Sequence, residues 1–177
     1  MPPILAILRH TPIWVFVLLI VLVMLGLQGL RARRVAVWRL LLVPAIFIIW
    51  GAVSLVARFA AAPFLVIDWL VAGATGFAVG WLTLRLAAMQ IDRATGVAHV
   101  AGSVVPLVRN LTIFLAKYCL AVASAIVPSA APALAHWDIG VSGLSFGYFL
   151  AWLCRFAIKY RAAQPAPAGA PEAAVRP

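Results

Sequence analysis

The residue in this chain best placed to do chemistry is an amine inside an apolar run. Lys117 lies in the stretch 104–127, eight residues beyond Arg109, which is roughly 12 Å along a helix. An ionisable group at such depth is costly and marks a functional site by default. Asn110 precedes Lys117 by two helical turns, and Tyr148 of the next apolar run falls at a similar depth. A polar seam of Asn110, Lys117 and Tyr148 would bind an anion, a lipid headgroup or a quinone. The plainer alternative is that Lys117 snorkels inward along its own helix and needs no partner.

Other constellations carry less. Gly143-Leu-Ser145-Phe-Gly147 matches the G-x-S-x-G pattern of a serine nucleophile. That motif needs a strained strand-to-helix turn, and here it falls inside a continuous helical run. His10, His136 and Asp138 share one side of the chain but lack the spacing of a metal site. His99 stands in a polar loop and reads as solvated. Cys119 and Cys154 sit in separate apolar runs with no C-x-x-C pairing, which predicts neither a disulfide nor a metal knuckle. Asn110-Leu-Thr112 fits a glycosylation sequon at a position where it would be idle. The expectation is a chain with no catalytic residues, no metal and no cofactor.

The composition dictates what positions these groups. Of 177 residues, 66% are hydrophobic and only 10% charged, with a mean hydropathy of +1.11. A water-soluble fold of this length has too little interior for that much apolar surface. The net charge of +10 comes from residues spread over loop edges, with no continuous basic face, so nucleic acid is not the expected partner. The charge reads as topology bias. Five spans are predicted, at about 12–30, 39–57, 64–84, 104–127 and 137–158. Each is long enough for a hydrocarbon core of about 30 Å. The run after Arg9 is too long for a signal peptide and lacks a small-x-small cleavage site, so the first span is expected to be retained.

The direction of the spans follows from the basic loop 31–39, with Arg31, Arg33, Arg34 and Arg39. With that loop inside, eleven of the fourteen Lys and Arg residues fall inside and only Arg9 and Arg58 outside. The expected fold is therefore an all-α bundle of five transmembrane helices, with the N-terminus outside and the C-terminus cytoplasmic. A short outer segment, 1–11, precedes the membrane domain 12–161. The Ala- and Pro-rich stretch 162–177 reads as a disordered tail. The segment 90–103 carries a turn at Asp92-Arg-Ala-Thr-Gly96 and reads as a small cytoplasmic hairpin, and Ser103 as the cap of the fourth span. Residues 128–136 read as an outer loop.

Small residues supply the expected packing. Ala72, Gly76 and Gly80 in the third span, and Gly143, Gly147 and Ala151 in the fifth, recur every four residues. Such stripes let helix backbones approach closely in lipid. Arg58 and Asp68 flank the turn between the second and third spans and are expected to form a structural ion pair.

The order of features resembles the CcdC-like family of small bacterial membrane proteins. The resembling pieces are the basic loop 31–39, Arg58…Pro63…Asp68, and Ile91-Asp-Arg-Ala-Thr-Gly-Val-Ala-His99. Arg109…Lys117-Tyr118 and Trp152…Arg155…Tyr160 complete the set. The resemblance implies five spans and an association with cytochrome c biogenesis, and it transfers no catalytic residue. The expected protein is a non-enzymatic, multi-pass protein of the bacterial inner membrane, an accessory or assembly factor for a membrane complex. The alternative is a small-molecule or ion carrier built on Lys117. Its partners would be the bilayer and either another membrane protein or further copies of itself.

Overall fold

The structure is a computed structural model that describes residues 11–59, 62–84, 89–93 and 95–163; the side chains of Trp14 and Arg58 lie outside that description. The N-terminal segment before Thr11 and the tail after Ala163 also lie outside the described residues. Five α-helices make up most of the chain: α1 (Ile13–Gln28), α2 (Val37–Phe59), α3 (Leu65–Thr83), α4 (Val105–Ile126) and α5 (Ala131–Ala162). Helices α2 to α5 are long and apolar enough to cross a membrane, whereas α1 has 16 residues. Their outward faces are apolar, with Val56, Val71 and Leu82 among the most exposed side chains. Such surface is unfavourable in water at this scale and suits a lipid environment.

The helix ends follow from local chemistry. Gly29 closes α1, its N–H reaching the carbonyls of Leu25 and Gly26. Pro44 lies inside α2, which nonetheless runs 23 residues. The Val105 N–H donates to Ser103 Oγ at 3.2 Å, so Ser103 supports the start of α4. The expected loop at 128–136 is instead a short 3-10 turn, Pro128–Ala130, followed directly by α5. Pro132 falls in the first turn of that helix, where its missing N–H has no partner to lose. The 32 residues of α5 span about 48 Å, well beyond a hydrocarbon core.

A three-stranded antiparallel sheet adds to the expected all-α bundle. It comprises β1 (Arg33–Ala36), β2 (Gln90–Asp92) and β3 (Val97–Val100), in the order β1-β3-β2. Strands β2 and β3 form the hairpin read from the sequence, and Gly96 in its turn has φ of +66°, a conformation that favours glycine. Strand β1 comes from the arginine-rich loop. It aligns Arg34 with His99 and Val35 with Ala98. One face of the sheet covers the end of α5, where Met89, Ala98, Trp152 and Phe156 form a buried cluster. The other face presents exposed Arg34, His99 and Gln90 in one cross-strand row.

The centre of the bundle is the contact between α3 and α5. A Cβ at Gly76 would strike the Leu144 carbonyl, and one at Gly147 would strike the Gly73 carbonyl. Gly80 faces Ala151 and Tyr148 at the far end of the same seam. Helix α2 packs on α5 through Phe47, whose ring stacks on fully buried Phe149 with centroids 4.6 Å apart. Helix α1 lies against α4, with Gly26 beneath Leu107. Gly147→Val is expected to lower stability by at least about 1–3 kcal/mol, the usual cost of overpacking. Gly140→Ala, with open space around it, is expected to change little. Thermal unfolding of both variants in detergent checks the difference.

Candidate functional site

Lys117 lies on α4 with its side chain only 14% exposed, and it does not extend alone along its own helix. Its Nζ donates to Asp138 Oδ1 at 2.5 Å and to Ser142 Oγ at 2.8 Å; a third, longer bond reaches the Asp138 carbonyl at 3.3 Å. An ammonium group has three donors, and all three are used. Ser142 Oγ in turn donates to the Asp138 carbonyl at 3.0 Å. Asp138 and Ser142 are four residues apart on α5 and so share one face. The Trp50 ring of α2 stands 6.0 Å from the amine. An ion pair with so little solvent contact must be satisfied by its own partners, because either charge alone would be poorly solvated.

The pair borders a cavity of about 600 Å³, within the size range of small-molecule sites. Val15 and Leu18 of α1, Trp50 of α2, and Phe114, Tyr118 and Val122 of α4 line it, and Asp138 of α5 closes one side. Its walls are almost wholly apolar. Apart from the ion pair, the polar feature at its edge is the hydroxyl pair of Thr11 and Tyr118, 2.9 Å apart. The Phe114 and Tyr118 rings run parallel, 3° apart in plane, and offer a flat aromatic wall. The arrangement suits a largely apolar molecule with one hydrogen-bonding head, the ring or chain against α1 and α4 and the head toward Lys117 and Asp138.

The expected seam of Asn110, Lys117 and Tyr148 is divided in two. Asn110 is buried and accepts from Arg109 Nε at 3.1 Å, and the Tyr148 ring lies 5.3 Å from the Arg109 guanidinium. Those two residues gather about Arg109, not about Lys117. The partner that the sequence reading misses is Asp138, which falls in the first turn of the expected fifth span and is weighed there only with His10 and His136 as a metal site. The signal for it is the four-residue spacing of Asp138 and Ser142, which puts both on one face of α5.

Asp68 in the first turn of α3 meets His136 Nδ1 at 2.5 Å, fastening α3 to α5 near their loop ends. The Arg58 side chain expected to pair with Asp68 lies outside the described residues, as does His10. Ser145 of the G-x-S-x-G stretch sits in mid-helix and donates to the Val141 carbonyl at 2.7 Å. Its flanking glycines, Gly143 and Gly147, press on the backbone of α3. Ala72 lies beside Gly143 on that same seam. Cys119 is exposed and Cys154 half-buried, and both are free thiols.

Fold and site together define a bundle of mostly apolar helices in which one cross-helix ion pair flanks an apolar cavity. The chain belongs to a family of unknown function (DUF6622), whose sequence model matches residues 2–167. No curated protein and no solved structure matches it.

Removing one member of the ion pair leaves the other charge buried and unpaired. Lys117→Met and Asp138→Leu are each expected to destabilise the protein by about 3 kcal/mol or more. The double variant is expected to recover much of that loss, because two apolar side chains replace two charges. Thermal unfolding of the three variants gives the coupling directly.

Proposed function

We propose that this chain is a non-enzymatic, multi-pass membrane protein that binds and carries an amphipathic small molecule. The carrying observation is the Lys117–Asp138 pair at the wall of an apolar cavity of about 600 Å³. An ion pair is an expensive way to join two helices in lipid. Its position beside space of molecular size gives it a second use, as the polar end of a site whose remainder is hydrocarbon and aromatic. The pair is neutral as a unit and its amine is already saturated. The site therefore suits a head that shares hydrogen bonds over one that brings a full charge. A hydroxyl-bearing ring or chain meets that condition, its O–H donating to the Asp138 carboxylate.

The proposal includes a topology. Five spans, counting α1, would cross a bacterial inner membrane, with the sheet-bearing end in the cytoplasm. Support comes from the basic residues at that end. Arg31, Arg33, Arg34 and Arg93 lie in or beside the sheet, and Lys159 and Arg161 close α5. The other end carries the Asp68–His136 pair. The accessory role in assembling a membrane complex, suggested by the CcdC-like resemblance, stays compatible with a bound cargo handed to a partner.

Native mass spectrometry of the full chain, extracted in mild detergent, tests the reading. The wild type is expected to retain a small molecule of a few hundred daltons. Its occupancy is expected to fall at least tenfold in Ala121→Trp, which fills the cavity, and in Lys117→Gln. A wild type without adduct, or equal adduct in Ala121→Trp, would overturn the proposal.

A further inference from the structure

A second cation, Arg109, has surroundings unlike those of Lys117. It is the fifth residue of α4, at the sheet-bearing end of the bundle. Its guanidinium carbon sits 4.5 Å from the centroid of Phe149 and 5.3 Å from that of Tyr148. Phe149 is completely buried and Asn110, which accepts from Arg109 Nε, nearly so. The guanidinium is thus held from behind by a rigid wall, while Arg109 as a whole residue is half-buried.

No carboxylate answers this charge among the described residues. Asp68 meets His136, Asp138 meets Lys117, and Asp92 in β2 bonds the Thr95 hydroxyl. The ring faces and the Asn110 amide orient the cation without cancelling it. Arg155 differs, since its guanidinium donates to the Trp81 carbonyl. At Arg109 the Tyr148 hydroxyl also accepts from the guanidinium, and the N–H groups left beyond Asn110 and Tyr148 form a fork that matches the oxygens of a phosphate. Two further influences favour an anion there. Arg109 lies in the positive first turns of α4. The arginines of the β1 strand, Arg33 and Arg34, raise the local concentration of anions.

We propose that Arg109, steadied by Tyr148, Phe149 and Asn110, is a phosphate-binding site separate from the Lys117 cavity. The phosphate belongs either to a phospholipid headgroup of the adjacent leaflet or to a soluble phosphate. Both present the same pair of oxygens, and the site does not depend on the ligand proposed for the cavity.

Titration of the delipidated full chain in a non-ionic detergent distinguishes these sources. The probes are dihexanoyl-phosphatidylglycerol, inorganic phosphate, and dihexanoyl-glycerol as a phosphate-free control, each followed by the shift in thermal midpoint. Saturable stabilisation by the phosphatidylglycerol and not by the control is expected. Stabilisation by phosphate alone to the same extent assigns the site to soluble phosphate, and stabilisation by the lipid alone assigns it to a headgroup. Arg109→Gln is expected to weaken the response at least tenfold. Arg109→Lys, which keeps the charge and loses the fork, is expected to weaken it severalfold and serves if Arg109→Gln does not fold. Arg93→Gln, at the same end of the molecule, is expected to leave it unchanged. No response to either phosphate probe, an unaltered response in Arg109→Lys, or an equal loss in Arg93→Gln would overturn the proposal.

Discussion

An amine and a carboxylate buried between apolar helices must neutralise each other, and that requirement shapes this molecule around Lys117 and Asp138. The two side chains retain little contact with solvent, at 14% and 18% exposure. At such positions an unpaired charge is poorly tolerated, so α4 and α5 are held in one register by the bond between them. Ser142 completes the set by accepting one N–H of the ammonium and donating its own hydroxyl to the Asp138 carbonyl. The pair does not fill the space beside it. The aromatic and aliphatic side chains of α1, α2 and α4 stop short, and the cavity results.

The remainder of the bundle supplies rigidity where the pair needs it. Helix α5 is the common neighbour: α3 interlocks with it through backbone contact at Gly76 and Gly147, and α2 stacks Phe47 on Phe149. Asp138 and Ser142 therefore project from the best-anchored helix in the protein. Helix α1 is held more lightly, through Gly26 against Leu107, the Ser103 N–H to the Gly29 carbonyl, and Thr11 to Tyr118. The cavity therefore has one wall fixed on α5 and another, on α1, lightly held.

Much of the helical layout is legible in the sequence because apolar runs near twenty residues have few other solutions. The small-residue stripes were readable for the same reason: four-residue spacing places them on one helical face. Three features were not. Strand β1 is only Arg-Arg-Val-Ala, and its arginines dominated the reading as a topology signal; its partner β3 lies over sixty residues away. The start of α5 was obscured by Pro128 and Pro132, which resemble loop punctuation but are tolerated in a 3-10 turn and a first helical turn. The Asp138 partner of Lys117 lies 21 residues away on another helix, and which faces of α4 and α5 meet is not written in either helix alone. Asn110 and Tyr148 are grouped with Lys117 by expected depth alone, yet depth does not fix azimuth, and both lie instead at Arg109.

The central claim is that an amphipathic molecule occupies the cavity beside the ion pair, against Trp50. Quenching of tryptophan emission by a brominated amphiphile, compared between the wild type and Trp50→Phe, measures this most directly. The account predicts a saturable quenched component in the wild type that disappears in Trp50→Phe and is reversed by the unbrominated compound. Equal quenching in both proteins, rising without saturation as the amphiphile partitions into detergent, would contradict it.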